Sequence, residues 1–178
     1  MTELEHLKYP IGKFKALSPV DQSTLNQAIE DISSLPEKFS AAVTFMTNDQ
    51  LDTPYRPGGW TVRQLAHHVA DSHMNAYVRM KIALTEKDPT IRPYEEGQWA
   101  ELKDSANTRV QISLDMLKLL HQRWSVLIKS LDDLQLKRKY YHPGDQEWVN
   151  LRTMICMYAW HGNHHLAHVT RLIERQGW

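Results

Sequence analysis

The sequence predicts an all-α protein with the architecture of a four-helix bundle. Four segments carry apolar residues at spacings of three and four, which place them on one face of a helix. No alternation of strand and helix patterns accompanies these segments, so a parallel α/β sheet is not indicated. The chain has 178 residues, of which 42% are hydrophobic and 24% charged. This length suits one compact domain, which we expect to cover residues 1–178.

Composition and charge exclude several classes of protein. The 21 basic residues match the 21 acidic residues, whereas nucleic-acid-binding proteins normally carry a basic excess. The longest apolar run, residues 154–160, is seven residues long, far short of the roughly 20 needed to span a bilayer. The N-terminus has no signal-peptide pattern, and Cys156 is the single cysteine. We therefore expect a cytoplasmic protein with no nucleic-acid or membrane partner and no intrachain disulfide.

The N-terminal third predicts an arm followed by a first helix. Residues 1–18 are predicted to be extended, because Pro10 disfavours the helical conformation before it. A helix is predicted after Ser18, a residue type that caps helices, and Pro36 is expected to kink the helix or divide it in two. Its apolar stripe comprises Leu25, Ile29, Ile32, Leu35, Phe39, Val43 and Met46.

A second helix is predicted to begin at Thr61. Gln64, three residues on, completes a capping-box pattern, and the helix fades at Asp88. The long connection over residues 86–108 has one possible helical turn near Trp99, and connections of this length are often functional. The apolar stripe of this helix comprises Val62, Leu65, Val69, Ala76, Met80 and Leu84.

The C-terminal half predicts a third helix, a hairpin and a last helix. The third helix covers about residues 107–131, and residues 138–150 are predicted to form a small hairpin excursion. The last helix covers about residues 151–175 and ends at Gly177, a residue type that favours helix C-termini. The predicted stripe of the third helix comprises Ile112, Met116, Leu119, Leu120, Trp124, Leu127 and Ile128.

Histidine is the unusual residue type of this sequence. The chain has ten histidines, four of them in residues 161–168 and three in residues 67–73. On the last helix, His165 lies about 40° and His161 about 80° from the core direction, whereas His164, at about 140°, is predicted to face solvent. Two imidazoles four residues apart, with Cβ atoms about 6 Å apart, can reach one metal ion.

The second helix offers a third candidate ligand. His67 lies about 160° from the core direction and is predicted to lie on the surface, His68 lies at about 100° and His73 at about 40°. The directions leave both His68 and His73 open as ligands, although burial with a hydrogen-bond partner accounts for His73, as it does for His121. Cys156 is placed on the outer face and is expected to be inert.

The residues resemble a known family. Residues 59–71, with Trp60, Thr61, His68 and Asp71, resemble the Trp-[Ser/Thr]…His-x-x-Asp motif of the DinB/YfiT-like superfamily. The segment His161-Gly162-Asn163-His164-His165 resembles the His-x-x-x-His motif of that superfamily. The similarity extends over nearly the whole chain and is strongest to the YfiT branch.

This resemblance implies a fold, a metal site and an activity. It implies a four-helix bundle of up-down-down-up topology, a homodimer, and one divalent metal per subunit held by His68, His161 and His165. His68 is selected because it stands three residues before Asp71, which would support it from outside the ligand shell. Histidine ligands favour zinc, with nickel as the next candidate, and three protein ligands indicate a catalytic site, because structural zinc sites have four.

Three functions are compatible with such a site. The first is a metal-dependent hydrolase in which the metal activates water against a small-molecule substrate. The second is a thiol S-transferase that uses a low-molecular-weight thiol such as bacillithiol, with Arg79, Arg92 or Arg109 binding a carboxylate of the thiol. The third is a metal-binding protein without turnover. The residues themselves do not separate the first two, and the resemblance to the YfiT branch, which is described as metal-dependent hydrolases, favours the first.

Overall fold

Four long helices form the body of the protein. The computed structural model describes residues 3–16 and 19–178. The long helices are α2 (Gln22–Val43), α4 (Val62–Thr85), α7 (Val110–Lys129) and α9 (Leu151–Gln176). The other elements are α1 (Glu3–Lys8), α3 (Asn48–Leu51), α5 (Glu96–Ala100), α6 (Lys103–Asn107), α8 (Asp133–Leu136), β1 (Lys139–His142) and β2 (Glu147–Asn150). The predicted fold class, including the hairpin before the last helix, is confirmed.

The topology is up-down-down-up. Helix α2 packs against α9 and α7, and α4 packs against α7 and α9. Contacts between side chains show that α2 runs parallel to α9 and α4 parallel to α7, whereas α4 and α9 are antiparallel. The pairs that fix these directions are Gln22–Arg152 and Asp31–Asn163, His67–Ser113 and His73–His121, and His73–His161 and Arg79–Tyr158.

A layer of histidines separates two apolar clusters of the core. One cluster contains Trp124 and Met80, and the other contains Phe39 and Leu65. On α4 the apolar residues of one cluster end at Ala70 and those of the other resume at Ala76; on α9 the corresponding limits are Ala159 and Val169. His73 of α4 and the histidines of α9 lie between these limits, whereas His67 and His68 belong to the stretch of α4 that ends at Ala70. His73 is hydrogen-bonded to His121 and His161, so with the histidines of α9 these residues form a polar layer across the middle of the bundle.

The termini of α4 and α9 form as their sequences predict. The Thr61 hydroxyl accepts a hydrogen bond from the backbone N–H of Gln64 at 3.1 Å, and the Gln64 side chain accepts one from the Thr61 N–H at 3.0 Å. Helix α9 ends at Gly177, whose φ of 70° lies in the left-handed region that glycine tolerates. These ends fix where the histidines of both helices fall.

Helix α2 differs from its prediction at two points. It begins at Gln22 with Asp21 as its cap, and the predicted cap Ser18 lies outside the described residues. The prediction that Pro36 divides the helix is wrong, because α2 continues through Pro36 to Val43. Pro36 has no N–H to offer the Ile32 carbonyl, four residues earlier. That carbonyl instead accepts a hydrogen bond from Nδ1 of His121 at 2.6 Å, so its hydrogen-bonding capacity is satisfied from α7.

Two further predictions are corrected by the packing. The arm is not wholly extended, because Glu3–Lys8 forms α1. The stripe predicted for α7 is out of phase in its first half, where Ile112 and Leu119 are exposed. The buried face of that half is instead formed by Val110, Leu114 and Leu117. Ser113 and His121 share this face, so polar residues that meet partners on other helices obscured the periodicity. In the described ranges, no helix is long and apolar enough to cross a membrane.

Candidate metal centre

Three histidines from two antiparallel helices converge at one point. Helix α4 supplies His68, and α9 supplies His161 and His165. One ligand atom from each ring lies within 4.8 Å of the others, and the Nε2 atoms of His161 and His165 are 3.2 Å apart. The ring of His68 lies 5.4 Å from that of His161 and 5.0 Å from that of His165, measured between centroids. The structure thus brings together the three residues that the resemblance implied.

Burial keeps these imidazoles neutral. Desolvation lowers the pKa of His68 to about 4. It lowers the pKa values of His161 and His165 well below the ordinary value, and the neighbouring imidazoles add to this effect. A neutral imidazole has a lone pair available for a metal, whereas a protonated one does not. Three neutral nitrogen donors match the preferences of zinc and nickel, so the residues present fit a divalent metal.

A chain of hydrogen bonds sets the tautomer of His161. The His121 Nδ1 atom must donate to the Ile32 carbonyl at 2.6 Å, so its Nε2 is an acceptor. His73 Nδ1 lies 2.9 Å from that acceptor and donates to it, which leaves His73 Nε2 as an acceptor for Nδ1 of His161 at 3.2 Å. In the neutral rings each proton is therefore on Nδ1. The lone pair of His161 Nε2 is left pointing at the convergence of the three rings.

The centre opens into a cavity of about 550 Å³. Trp60 packs against His68 with 4.6 Å between the ring centroids, and Glu96 and Trp160 also line the cavity. A second cavity of about 460 Å³ shares His161, Trp160 and Glu96 with the first. The two cavities together offer a small molecule space beside the three histidines.

Two histidines predicted to face solvent are buried. His67 lies against Ser113 Oγ at 2.7 Å and the Thr108 carbonyl at 3.1 Å, because α6 and α7 cover that face of α4. His164 stacks on Trp160 with ring centroids 4.6 Å apart and is covered by the N-terminal segment that carries Tyr9. Both predictions were wrong because segments distant in sequence cover faces that a helical projection assigns to water.

A second group of histidines adjoins the first and was not predicted from the sequence. Ligand atoms of His164, His165 and His168 also lie within 4.8 Å of one another. His168 Nε2 donates to the Lys8 carbonyl at 3.2 Å, and its ring stacks on Tyr55. The spacing of four residues between His164 and His168 was the available signal. His165 belongs to both groups, so the two groups compete for it.

Asp71 and Cys156 do not join the centre. The backbone carbonyl of Asp71 accepts a hydrogen bond from the Asn75 side chain, and within residues 3–16 and 19–178 no hydrogen bond links the Asp71 carboxylate to a histidine. Burial and the nearby Asp104 raise the pKa of Asp71 to about 6. Cys156 lines a separate cavity beside α2. Burial raises the pKa of its thiol, which favours an unreactive cysteine.

The arginines and the long connection fall in different places. Arg79 lines the second cavity beside His161. Arg92 lies at a different cavity, beside Asn75, and Arg109 is the residue that precedes α7. The connection over residues 86–108 contributes Pro93, Tyr94, Glu95, Glu96 and Gly97 to the cavity of Arg79. The connection that the sequence singled out for its length therefore lines a cavity.

Comparison with known proteins assigns this chain to a family. Residues 32–169 match the family model described as the DinB superfamily, and the chain belongs to that superfamily. It is 48% identical over 173 residues to the Bacillus subtilis protein named "Putative metal-dependent hydrolase YfiT", covering 97% of each chain. It is 49% identical over 175 residues to a Bacillus cereus (strain 03BB102) protein named "Putative metal-dependent hydrolase", covering 98% of this chain and all of that one.

A solved structure resembles this protein over almost its whole length. The structure of YfiT from Bacillus subtilis is described as a probable metal-dependent hydrolase with an unusual four-helix bundle topology. It matches with a TM-score of 0.95 at 48% sequence identity and covers 97% of this chain and 99% of that chain. The bundle described above is therefore the fold of that relative as well.

Proposed function

We propose that this chain is a metal-dependent hydrolase whose His68, His161 and His165 hold one divalent metal. The observation that carries the proposal is the meeting of three neutral imidazole donors within 4.8 Å beside a cavity. The hydrogen bond from His161 Nδ1 to His73 supports it, because that bond leaves Nε2 of His161 free to coordinate. The names given to the relatives agree with this assignment.

The proposed chemistry divides between the metal and the chain. When bound, a divalent metal with three protein ligands supplies Lewis-acid activation of water at neutral pH. The chain orients the donors through the hydrogen-bonded histidines and limits solvent access by packing Trp60 on His68. Zinc is the metal we propose, because imidazole suits it, and nickel fits the same donors. Asp71 is not assigned a proton-transfer role.

The proposal extends to the setting of this chemistry. The substrate is a small molecule, since the two adjoining cavities measure about 550 and 460 Å³. We include in the proposal that residues 1–178 form one domain, that the protein acts in the cytoplasm, and that two subunits associate with one metal each. The resemblance to the superfamily supports the association of two subunits, and the length of 178 residues supports one domain.

Metal titration tests the ligand assignment. Calorimetric titration with zinc is expected to show one equivalent bound to the wild type and none to His68→Ala, His161→Ala or His165→Ala. The matched controls are His164→Ala and His168→Ala, which remove buried rings of the neighbouring group, and both should retain the equivalent. Loss of binding in His168→Ala with retention in His68→Ala would assign the metal to the other group and contradict the proposal.

Turnover distinguishes the three functions. The zinc-loaded protein is expected to hydrolyse members of a panel of activated esters and amides without added thiol, and His161→Ala should not. Conjugation of an electrophile that requires both metal and a thiol would instead identify a thiol S-transferase. Tight zinc binding with no turnover of either panel would identify a metal-binding protein.

A further inference from the structure

Arg79 places a positive charge in the interior of the bundle. Its side chain lies on α4 and is 8% exposed. Its Nη1 donates to the Tyr158 hydroxyl at 3.3 Å, and its Nη2 donates to the Arg92 backbone carbonyl at 3.4 Å. The N–H at Nε is buried and has no acceptor. The buried guanidinium thus has two long hydrogen bonds to neutral oxygens and lies over the Tyr94 ring, with its Cζ 5.9 Å from the ring centroid.

Another buried arginine on the same helix shows what is missing at Arg79. Arg63 is 7% exposed, and its Nε and Nη2 donate to the two carboxylate oxygens of Asp52 at 2.6 and 3.2 Å. By contrast, no carboxylate oxygen of the described residues lies within 4.0 Å of the Arg79 guanidinium nitrogens. A buried charge without a counter-ion is unfavourable, so an anion supplied from outside would be bound strongly there.

The surroundings of Arg79 connect it to the metal centre. Arg79 lines the cavity of about 460 Å³ together with Ser72, Tyr158 and His161. His161 also lines the cavity of His68 and His165. Tyr158, which contacts Arg79, precedes His161 by three residues, or about 4.5 Å of helical rise. A small molecule can therefore contact Arg79 with one end and reach the three histidines with the other.

None of the carboxylates around this cavity forms an ion pair with Arg79. Asp145 is held by His142 at 3.0 Å, and Glu95 and Glu96 are exposed. These acidic groups also bear on the choice of ligand, because they repel a dianion more strongly than a monoanion. The planar guanidinium fork matches a carboxylate in shape as well as in charge.

We propose that Arg79 is a substrate-binding residue that holds a carboxylate of the substrate while the reacting bond lies at His68, His161 and His165. The substrate class is then a small carboxylic acid that carries a second, hydrolysable group. This inference rests on the proposed function for the position of the reacting bond, and on Arg79 alone for the position of the anion.

Binding is tested on the full-length, metal-free chain, where no metal competes for the carboxylate. The probe is succinamate, which carries one carboxylate, and its neutral counterpart succinamide is the control ligand. The ¹⁵N–¹H signal of the Arg79 Nε–H is expected to shift saturably with succinamate and to stay in place with succinamide. An unmoved signal would overturn the proposal without any variant. A response to inorganic phosphate but not to succinamate would overturn the assignment to a carboxylate.

Hydrolysis by the zinc-loaded protein tests the same residue during turnover. The two substrates share a leaving group: p-nitrophenyl acetate is neutral, and mono-p-nitrophenyl succinate carries a carboxylate. In Arg79→Gln the kcat/KM ratio of the anionic to the neutral ester is expected to fall about 10- to 100-fold. The control Arg92→Gln removes an exposed arginine nearby and should keep the wild-type ratio.

The two proposals fail in different ways. If neither ester is hydrolysed while the Arg79 signal still responds to succinamate, the hydrolase function is overturned and the carboxylate site stands. If both esters are hydrolysed with the same ratio in the wild type and in Arg79→Gln, the carboxylate site is overturned and the hydrolase function stands.

Discussion

At the scale of single residues, neighbouring side chains decide what each histidine can do. His73 is 0% and His121 1% exposed, and each uses both ring nitrogens in hydrogen bonds. The series of hydrogen bonds begins at the Ile32 carbonyl, which can only accept, so every donor and acceptor after it is fixed. The proposed ligand His161 is at the other end of this series. Two residues interpreted as structural from the sequence therefore also orient the metal centre.

Substitution of His121 tests this orientation. In His121→Phe the Nδ1–H of His73 loses its acceptor, and His73 is free to carry its proton on Nε2, where it opposes the Nδ1–H of His161. We expect zinc affinity to fall about 10- to 100-fold, the usual effect of removing a hydrogen-bond partner that orients a metal ligand. Competition with a chromophoric chelator measures this affinity.

The matched control is His67→Gln. His67 is a buried, hydrogen-bonded histidine of α4, but it lies outside the series of hydrogen bonds that runs from Ile32 to His161. The His67→Gln protein should keep wild-type zinc affinity. Two-bond ¹⁵N–¹H spectra of the metal-free wild type should show the Nδ1–H tautomer for His73, His121 and His161. Wild-type affinity in a folded His121→Phe protein would refute the orienting role.

At the scale of elements, a proline of α2 and a glycine of α9 determine how these helices pack beside the metal centre. Pro36 leaves the Ile32 carbonyl without a partner in its own helix, and His121 of α7 takes that place. Gly162 lets α9 approach α2 closely, because a Cβ atom at this position would overlap Cδ2 of Leu35. Gly162 follows His161 directly, so this close approach also sets the depth of the metal centre in the bundle.

Gly162→Ala tests the close approach. Leu35 is 1% exposed and has little room to move, so the added methyl group should destabilise the fold by about 1–3 kcal/mol. Urea unfolding of the metal-free protein measures this loss. Gly97→Ala is the control, since no atom lies within 4 Å of a Cβ there. Replacing Leu35 with alanine in the Gly162→Ala protein should cost less than Leu35→Ala alone; additive losses would show that the two residues do not compete for space.

At the scale of the whole molecule, the histidine layer links stability to pH. Burial lowers the pKa of eight of the ten histidines, and neighbouring imidazoles lower several of them further. In the unfolded chain these groups titrate near about pH 6.5. Below that pH the unfolded state binds more protons than the folded state, so the free energy of unfolding falls as pH decreases. The raised pKa values of Asp71 and Glu96 act in the opposite direction but involve two groups only.

Acid unfolding of the metal-free chain tests this linkage. The urea midpoint should decrease between about pH 7.5 and about pH 5.5, and each fully buried neutral histidine contributes up to about 1.4 kcal/mol per pH unit. His121→Phe should reduce the slope, because it removes one titrating group from the unfolded state. His6→Gln changes an exposed histidine and should leave the slope unchanged. A midpoint independent of pH would contradict the role assigned to the layer.

Local sequence determined the elements of this protein. Helical periodicity and the Thr61–Gln64 capping pattern predicted the long helices, and the same reasoning placed the hairpin and the end of α9 at Gly177. The four-residue spacing of His161 and His165 also predicted that their rings meet, because residues four apart are neighbours on the same face of a helix. These features depend on residues close together in the chain.

Tertiary structure alone decided which histidines are buried and how they are bonded. His67 and His164 are enclosed because α6, α7 and the N-terminal segment cover them, and no periodicity within α4 or α9 contains that information. The same holds for the contact of His121 with Ile32 across 89 positions and for the unpaired charge of Arg79. The physical reason is that burial and hydrogen-bond partners are properties of the space between helices, whereas sequence spacing describes each helix by itself.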